Sequence, residues 1–290
     1  MTPETRTGLI AGLGAYCLWG LLPLYLKLLT GIPAPDVLAN RIIWSLLLIG
    51  VVMVATGGGP RLRAVVMQPR LLMLLLASAI LIAINWLIYT WAVLNGHVLD
   101  TSLGYFINPL ISIVFGVVLL GERLSRVQWL AVGLAAAGVA VIAIANGSLP
   151  LVSLGVALSF ALYGLVRKFA AVDAVTGLLV ETIILTPVAL GWLLSQPEGL
   201  FGRPAPTELL LIAGGGLTAV PLLLFGIATR WLKLSTIGLL QYIAPTMVFL
   251  LAVFLFGETL TASRLLAFGC IWAGLALYTQ SLLSRSTVAA

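Results

Sequence analysis

Charge is what this sequence lacks most. Of its 290 residues only 8% are Asp, Glu, Lys or Arg, against 61% apolar, and the mean hydropathy is +1.18. A soluble domain carries about a quarter charged residues. A chain so poor in charge cannot present a water-compatible surface all round, which excludes the soluble classes. Histidine occurs once, as His97, and cysteine twice, as Cys17 and Cys270, both inside apolar runs. These fit neither a disulfide framework nor a metal site, so no metal and no cofactor is expected. H-E-x-x-H, a Walker lysine loop and G-x-S-x-G are also missing, which argues against an enzyme and against a self-contained primary pump. A short polar lead with Arg6 runs into a full-length apolar stretch with no small-residue cleavage site, so the first helix is expected to be retained.

What is present is a series of apolar runs. A membrane-crossing helix needs about 20 apolar residues. Ten candidate spans meet this, at 7–28, 36–56, 70–94, 100–120, 126–145, 150–168, 174–195, 206–230, 235–256 and 262–283. The breaks carry turn residues, as at Gly57 to Pro60, Asn95-Gly96, Asn146 to Pro150 and Gly257. With the N-terminus in the cytoplasm, eleven of fifteen Lys and Arg fall on inner segments: Arg6, Arg61, Arg63, Arg70, Arg123, Arg126, Arg167, Lys168, Arg230, Lys233 and Arg285. Lys27, Arg41, Arg203 and Arg264 are the remainder. Both termini are therefore expected inside. The net charge of +6 is a topology signal first, with attraction to anionic lipid head groups as a second reading and no case for nucleic acid.

One phrase occurs twice. "INPLISIVFGVVLLGERL" from Ile107 and "IAPTMVFLLAVFLFGETL" from Ile243 align at an offset of 136 residues. Pro109 then meets Pro245, Gly121 meets Gly257, Glu122 meets Glu258, and Gly133 and Gly138 meet Gly269 and Gly274. Trp19-Gly20 similarly resembles Tyr163-Gly164. The expected fold is an all-α polytopic membrane protein, with ten transmembrane helices as two inverted five-helix repeats, residues 1–147 and 148–290. An odd number of crossings makes the second repeat enter from the opposite side, the arrangement secondary transporters use for alternating access. Compositional likeness between apolar helices is the competing account. Within Gly-Glu-x-Leu, Gly121 and Gly257 can end helices, Ser125 and Thr261 can cap the next ones, and Gln128 can complete a capping box. Glu122 and Glu258 at these turns are read as hairpin architecture, with gating as the alternative.

Several stretches resemble a known family: "AYCLWGLLPLYLKLL" at 15–29, "NRIIWS" at 40–45, "NWLIYTWAVLNGHVLDTSLGYFINPL" at 85–110, "GERLSRVQW" at 121–129 and "QYIAPTMVFLLAVFLFGE" at 241–258. Together they resemble the drug/metabolite transporter superfamily of EamA type, and within it the RarD group, named for chloramphenicol sensitivity. The resemblance spans essentially the whole chain. It implies a permease for small metabolites or drugs in the bacterial inner membrane, with no substrate assigned. Asn40-Arg41 departs from the His-Arg pair of some members, which leaves a titrating role at position 40 in doubt.

Polar groups inside membrane helices usually face a cavity or a partner. Asn85 and Tyr89 are four residues apart and share a helix face, with Trp86 beside them and Trp91 nearer the interface. Rings with one amide suit a planar organic substrate. Tyr105 and Asn108 precede Pro109, and Gln241 and Tyr242 precede Pro245, so the repeat puts two Pro-kinked, amide-bearing helices in corresponding positions. A substrate cavity is expected between them, with Tyr16, Trp19 and Tyr163 completing its wall; helix packing is the alternative. Arg41 and Glu181 lie within spans as coupling or ion-pair residues. Glu181 is a proton-coupling candidate or a partner of Arg41, Arg167 or Lys168, and Arg41 binds an anion or snorkels. His97, near Asp100, reads as an exposed loop residue. The expected partners are the bilayer and a small-molecule substrate, with a homodimer and proton coupling left open. A membrane enzyme on lipid-linked substrate, or a structural protein packing through faces such as Gly8-x-x-x-Gly12, are the competing functions.

Overall fold

The computed structural model describes residues 3–120, 124–170, 172–232 and 240–288. Gly121, Glu122, Arg123, Lys233 and the start of the span expected from 235 lie outside the described residues, as do the side chains of Arg230 and Arg285. The elements are α1 (Pro3–Lys27), α2 (Ala34–Ala55), a short α3 (Gly59–Val66), α4 (Pro69–Leu94), α5 (Val98–Leu120), α6 (Arg126–Asn146), α7 (Leu151–Ala170), α8 (Ala174–Ser195), α9 (Ala205–Trp231), α10 (Ile243–Leu250) with a π-helical turn Leu251–Leu255, and α11 (Ala262–Val288). No strand occurs among the described residues. Eight of the described helices are long and apolar enough to cross a membrane.

The helix ends follow local chemistry. Proline occupies the first turn of α2, α4 and α9, where a missing N–H costs nothing. Ser125 and Gln128 close the capping box that begins α6, and Asp173 caps α8 through the Thr176 amide. Gly147 ends α6 at φ +64°, and Gly257 ends the π turn at φ +67°, a region that L side chains rarely adopt. The stretch from Gly57 to Pro60, read from sequence as a plain break, also starts α3. Pro60 sits in its first turn, and Arg61 and Arg63 project from it into the surroundings.

Polarity runs from apolar outside to polar inside. Val54 and Ile144 are each 82% exposed, whereas Asp36, Arg41, Asn85, Glu181 and Thr218 are buried. That is the distribution a hydrocarbon surround selects, because an unsatisfied polar group there is expensive. The most extensive packing joins helices before Asn146 to helices after it: α6 on α11, α5 and α4 on α7, α1 and α2 on α9, and α2 on α8. Small residues allow the closest approaches, as membrane helix pairs require. A Cβ on Gly138 would stand 2.9 Å from the Ala267 carbonyl, and one on Gly274 would stand 2.8 Å from the Ala131 carbonyl.

Candidate functional site

The centre of the polar interior is Arg41 on α2, only 2% exposed. Its Nε donates to Thr218 Oγ1 of α9 at 2.9 Å, and its Nη1 donates to Thr90 Oγ1 of α4 at 3.3 Å. The guanidinium lies over the Trp86 ring, 5.4 Å from the centroid, a favourable cation–π geometry. Room for it comes from α9. A Cβ on Gly214 would stand 3.0 Å from Arg41 Cγ and would collide with the Tyr25 hydroxyl. The Tyr25 hydroxyl itself donates to the Leu210 carbonyl at 2.9 Å. Tyr25, Tyr89 and Tyr105 lie within electrostatic reach of the guanidinium. Among the described residues no carboxylate lies within ion-pair distance of Arg41.

One turn away on α4, Asn85 and Tyr89 face α5 and α7 while Trp86 and Thr90 face α2, as four-residue spacing dictates. Asn85 is fully buried and tied to its surroundings. Its Nδ2 donates to the Val156 carbonyl and to Ser159 Oγ, both at 3.0 Å, and its Oδ1 accepts from the Tyr105 hydroxyl at 3.1 Å. Three of its four hydrogen-bonding positions are thus occupied. Tyr89 packs on Tyr105 at 5.8 Å, Tyr105 on Phe160 at 5.8 Å, and Phe160 on Tyr163 at 5.9 Å. Asn108 donates to the Ala157 carbonyl at 3.0 Å.

The other candidates fall into separate groups. Tyr16 and Trp19 of α1 pack on each other at 5.4 Å and on Phe225 of α9 at 6.1 and 5.8 Å. Tyr242, in the turn before α10, stacks on Phe106 at 6.4 Å, with half-buried Gln241 beside it. Pro109 lies inside α5, whereas Pro245 lies in the first turn of α10, just after the turn at Gln241 and Tyr242. The Pro245 carbonyl accepts from Ser102 Oγ at 2.8 Å.

Glu181 does not meet Arg41. Its Oε1 accepts from Ser78 Oγ at 2.6 Å and lies 3.5 Å from Arg167 Nη1, tying α8 to α4 and α7. Glu181 Oε2 and Arg167 Nη1 have no hydrogen bond of ordinary geometry. Where α5 begins, Glu258 accepts from the Val98 and Leu99 amides at 2.7 and 2.8 Å. Asp100 Oδ1 accepts from Arg264 Nη2 at 3.1 Å, and Asp100 Oδ2 lies 3.1 Å from His97 Nδ1. His97 stacks on Trp91 at 5.4 Å. Buried Asp36 pairs with Arg203 and accepts from Trp192 Nε1 at 2.8 Å. A groove of about 610 Å³ lined by Arg61, Arg70 and Asp173 lies apart from this centre.

Sequence reasoning did not find Tyr25, Thr90, Gly214 or Thr218. Thr90 carried a usable signal, standing four residues after Trp86 on the face next to Asn85 and Tyr89. Thr218 follows the glycine run 214–216 and becomes visible only once α9 is packed on α2.

Comparison with known proteins fits this architecture. Residues 6–144 match the model of the EamA-like transporter family. The chain is similar to Protein RarD of Escherichia coli, 47% identical over 281 residues covering 96% of this chain and 95% of that one. It is 49% identical to an uncharacterized transporter of Pseudomonas aeruginosa over 96% of this chain and 95% of that one. With the Chloramphenicol-sensitive protein RarD of the same organism the identity is 34%, over 91% of each chain. A solved crystal structure at 22% identity and TM-score 0.62, covering 96% of this chain and 98% of that one, shares its fold. With identities of this size over nearly the full length, the chain belongs to the EamA-like transporters of the drug/metabolite superfamily, in their RarD group.

Proposed function

We propose that the protein is a secondary transporter, a permease that moves small organic molecules across the bacterial inner membrane by alternating access. In this reading ten crossings form two inverted five-helix halves, 1–147 and 148–290, with both termini cytoplasmic. The observation that carries it is the contact between α6 and α11. Gly138 meets Ala267, and Gly274 meets Ala131. Adding 136 to Ala131 and Gly138 of α6 gives Ala267 and Gly274 of α11, so each contact is the other with the roles of the two helices exchanged. Such reciprocity is the signature of a two-fold axis through an interface, and here it relates two halves of one chain. The exchange of packing partners, α1 on α9 and α4 on α7, supports the same axis.

Alternating access needs contacts between halves that can break on one side at a time. At the end where α5 begins, two such links are made: Glu258 to the Val98 and Leu99 amides, and Arg264 to Asp100. In this reading the distribution of Lys and Arg makes this the outer side, and the two links would keep it closed. The substrate site in this reading lies around Arg41, Trp86, Tyr89 and Tyr105, with Asn85 holding the Tyr105 phenol in place. Glu181 supports proton coupling as a second element, since it is a buried carboxylate with an oxygen left without a hydrogen bond.

The test is flux in proteoliposomes across a broad panel of small organic solutes. Protein-dependent uptake should disappear in Asn85→Ala plus Tyr89→Ala while membrane insertion is kept. It should also stop when V98C and E258C are joined by a short reducible cross-linker, and return on reduction. Flux that continues through the cross-linked protein refutes alternating access at this gate.

A further inference from the structure

The unbalanced charge on Arg41 specifies a ligand. Arginine stays protonated in proteins, and a buried cation is costly unless an anion compensates it. Arg41 is met directly by two hydroxyls and the Trp86 ring, and among the described residues no carboxylate lies within ion-pair distance of it. The two buried acids among the described residues are already committed, Asp36 in the first turn of α2 to Arg203 and Glu181 to Arg167. Resting on the transport reading above, we infer that Arg41 is the anchor for a carboxylate on the substrate, and that the transported class is planar organic monocarboxylates without an ammonium group.

Three features narrow the class. A guanidinium presents paired N–H donors that match the two oxygens of a carboxylate. One cation balances one negative charge, so a dianionic phosphate would leave a buried charge unpaired. An α-amino acid would bring an ammonium that needs its own acceptor, and among the described residues no uncommitted buried carboxylate is present. The planar body follows from the Trp86 ring under the guanidinium and from the Tyr89–Tyr105 pair, packed at 5.8 Å, with Tyr89 one turn along α4 from Trp86, which offer stacking surfaces.

The position of Arg41 also links binding to movement. Its hydrogen-bond partners belong to different halves, Thr90 to the first and Thr218 to the second. Parting α2 from α9 breaks the Thr218 bond and frees Nε to meet an entering carboxylate. Closure returns the hydroxyl beside the bound anion.

The experiment measures ligand-induced thermal stabilisation of the purified full-length protein in detergent. The probes are benzoate and phenylacetate, their neutral amides, phenylalanine as the zwitterion and phenyl phosphate as the dianion. The carboxylates should bind saturably, and the amides, phenylalanine and phenyl phosphate at least about ten-fold more weakly, the scale set by a charge-assisted hydrogen-bond pair. Arg41→Gln should abolish the preference for acid over amide. If that variant does not fold, Thr218→Val keeps the guanidinium and should weaken the acids selectively, leaving the amides unchanged. Equal binding of acid and amide, a preference for acid that survives Arg41→Gln, or no binding of either carboxylate overturns the inference. Counterflow of labelled benzoate in proteoliposomes separates the two readings. Specific binding without counterflow sinks the transport reading and leaves the carboxylate site standing, whereas flux of neutral solutes with no acid preference does the reverse.

Discussion

Substituting alanine at Gly138 and at Gly274 tests the pseudo-two-fold contact quantitatively. A Cβ at Gly138 would lie 2.9 Å from the Ala267 carbonyl, and one at Gly274 would lie 2.8 Å from the Ala131 carbonyl. Both obstacles are backbone atoms, so no side-chain rotation relieves them and α6 and α11 must move apart. Overpacking of this kind costs about 1–3 kcal/mol, against which alanine's better helix propensity returns up to about 1 kcal/mol. The two substitutions should therefore destabilise to nearly the same extent. Once one has separated the helices the other costs less, so the double variant should lose less than the sum of the singles. Gly133 and Gly269 are the internal control: they correspond at the same offset, but a Cβ on either meets nothing within 4 Å. Alanine there should be neutral or stabilising. Equilibrium unfolding in mixed micelles reads the five variants against the unsubstituted protein. Equal behaviour of the 138/274 and 133/269 pairs, or a cost at only one of Gly138 and Gly274, refutes the reasoning.

Four further outcomes follow from the polar contacts. Glu258→Gln removes the charge that caps α5 but keeps one acceptor, so it should loosen the contact between Glu258 and the start of α5 less than Glu258→Ala does. An alanine in place of a cap costs about 1 kcal/mol, and the labelling rate of a cysteine introduced at position 102 should rise in that order; unchanged rates leave Glu258 without a gating role. Glu181→Ala strands Arg167 with its charge and should cost about 3–5 kcal/mol by the same unfolding assay. Glu181→Gln should flatten the pH profile of flux if the carboxylate carries protons, and an unaltered profile reduces Glu181 to an ion pair. Asp173, at the head of α8 outside the apolar segments, is pushed up by burial. Its hydrogen bonds from Thr176 and the nearby Arg61 outweigh this and hold its carboxyl below the ordinary value. A depressed folded-state pKa gives stability that is present above the unfolded carboxylate's pKa and lost as pH falls through the folded one. Asp173→Asn should therefore remove a small acid-side decline in stability, and an unchanged decline assigns it to other groups.

What the sequence made legible was whatever is written locally or by repetition. The capping box of Ser125 and Gln128 needs only three residues of spacing, and Gly257 needs only its place after an apolar run. Gly138 and Gly274 stood out because a shared register is visible without any packing. Partners drawn from distant elements were hidden. Thr218 is 177 residues from Arg41, and the donors to Glu258 are backbone amides about which side-chain identity says nothing. The choice of Arg167 over Arg41 for Glu181 depended on the order in which α4, α7 and α8 pack. Asn85 was recognisable as a buried amide, but its ties to Val156 and Ser159 arise only from the contact of α4 with α7. Helix α3 escaped notice because glycine and proline, which mark a break, also make a good first turn.

The account stands on two halves of opposite orientation within the bilayer. Accessible tags inserted after Asn146 and fused to the carboxyl end, assayed in intact and permeabilised cells, measure this directly. The prediction is a tag exposed to the outside after Asn146 and one shielded in the cytoplasm at the carboxyl end. Both tags reporting the same side of the membrane would contradict it.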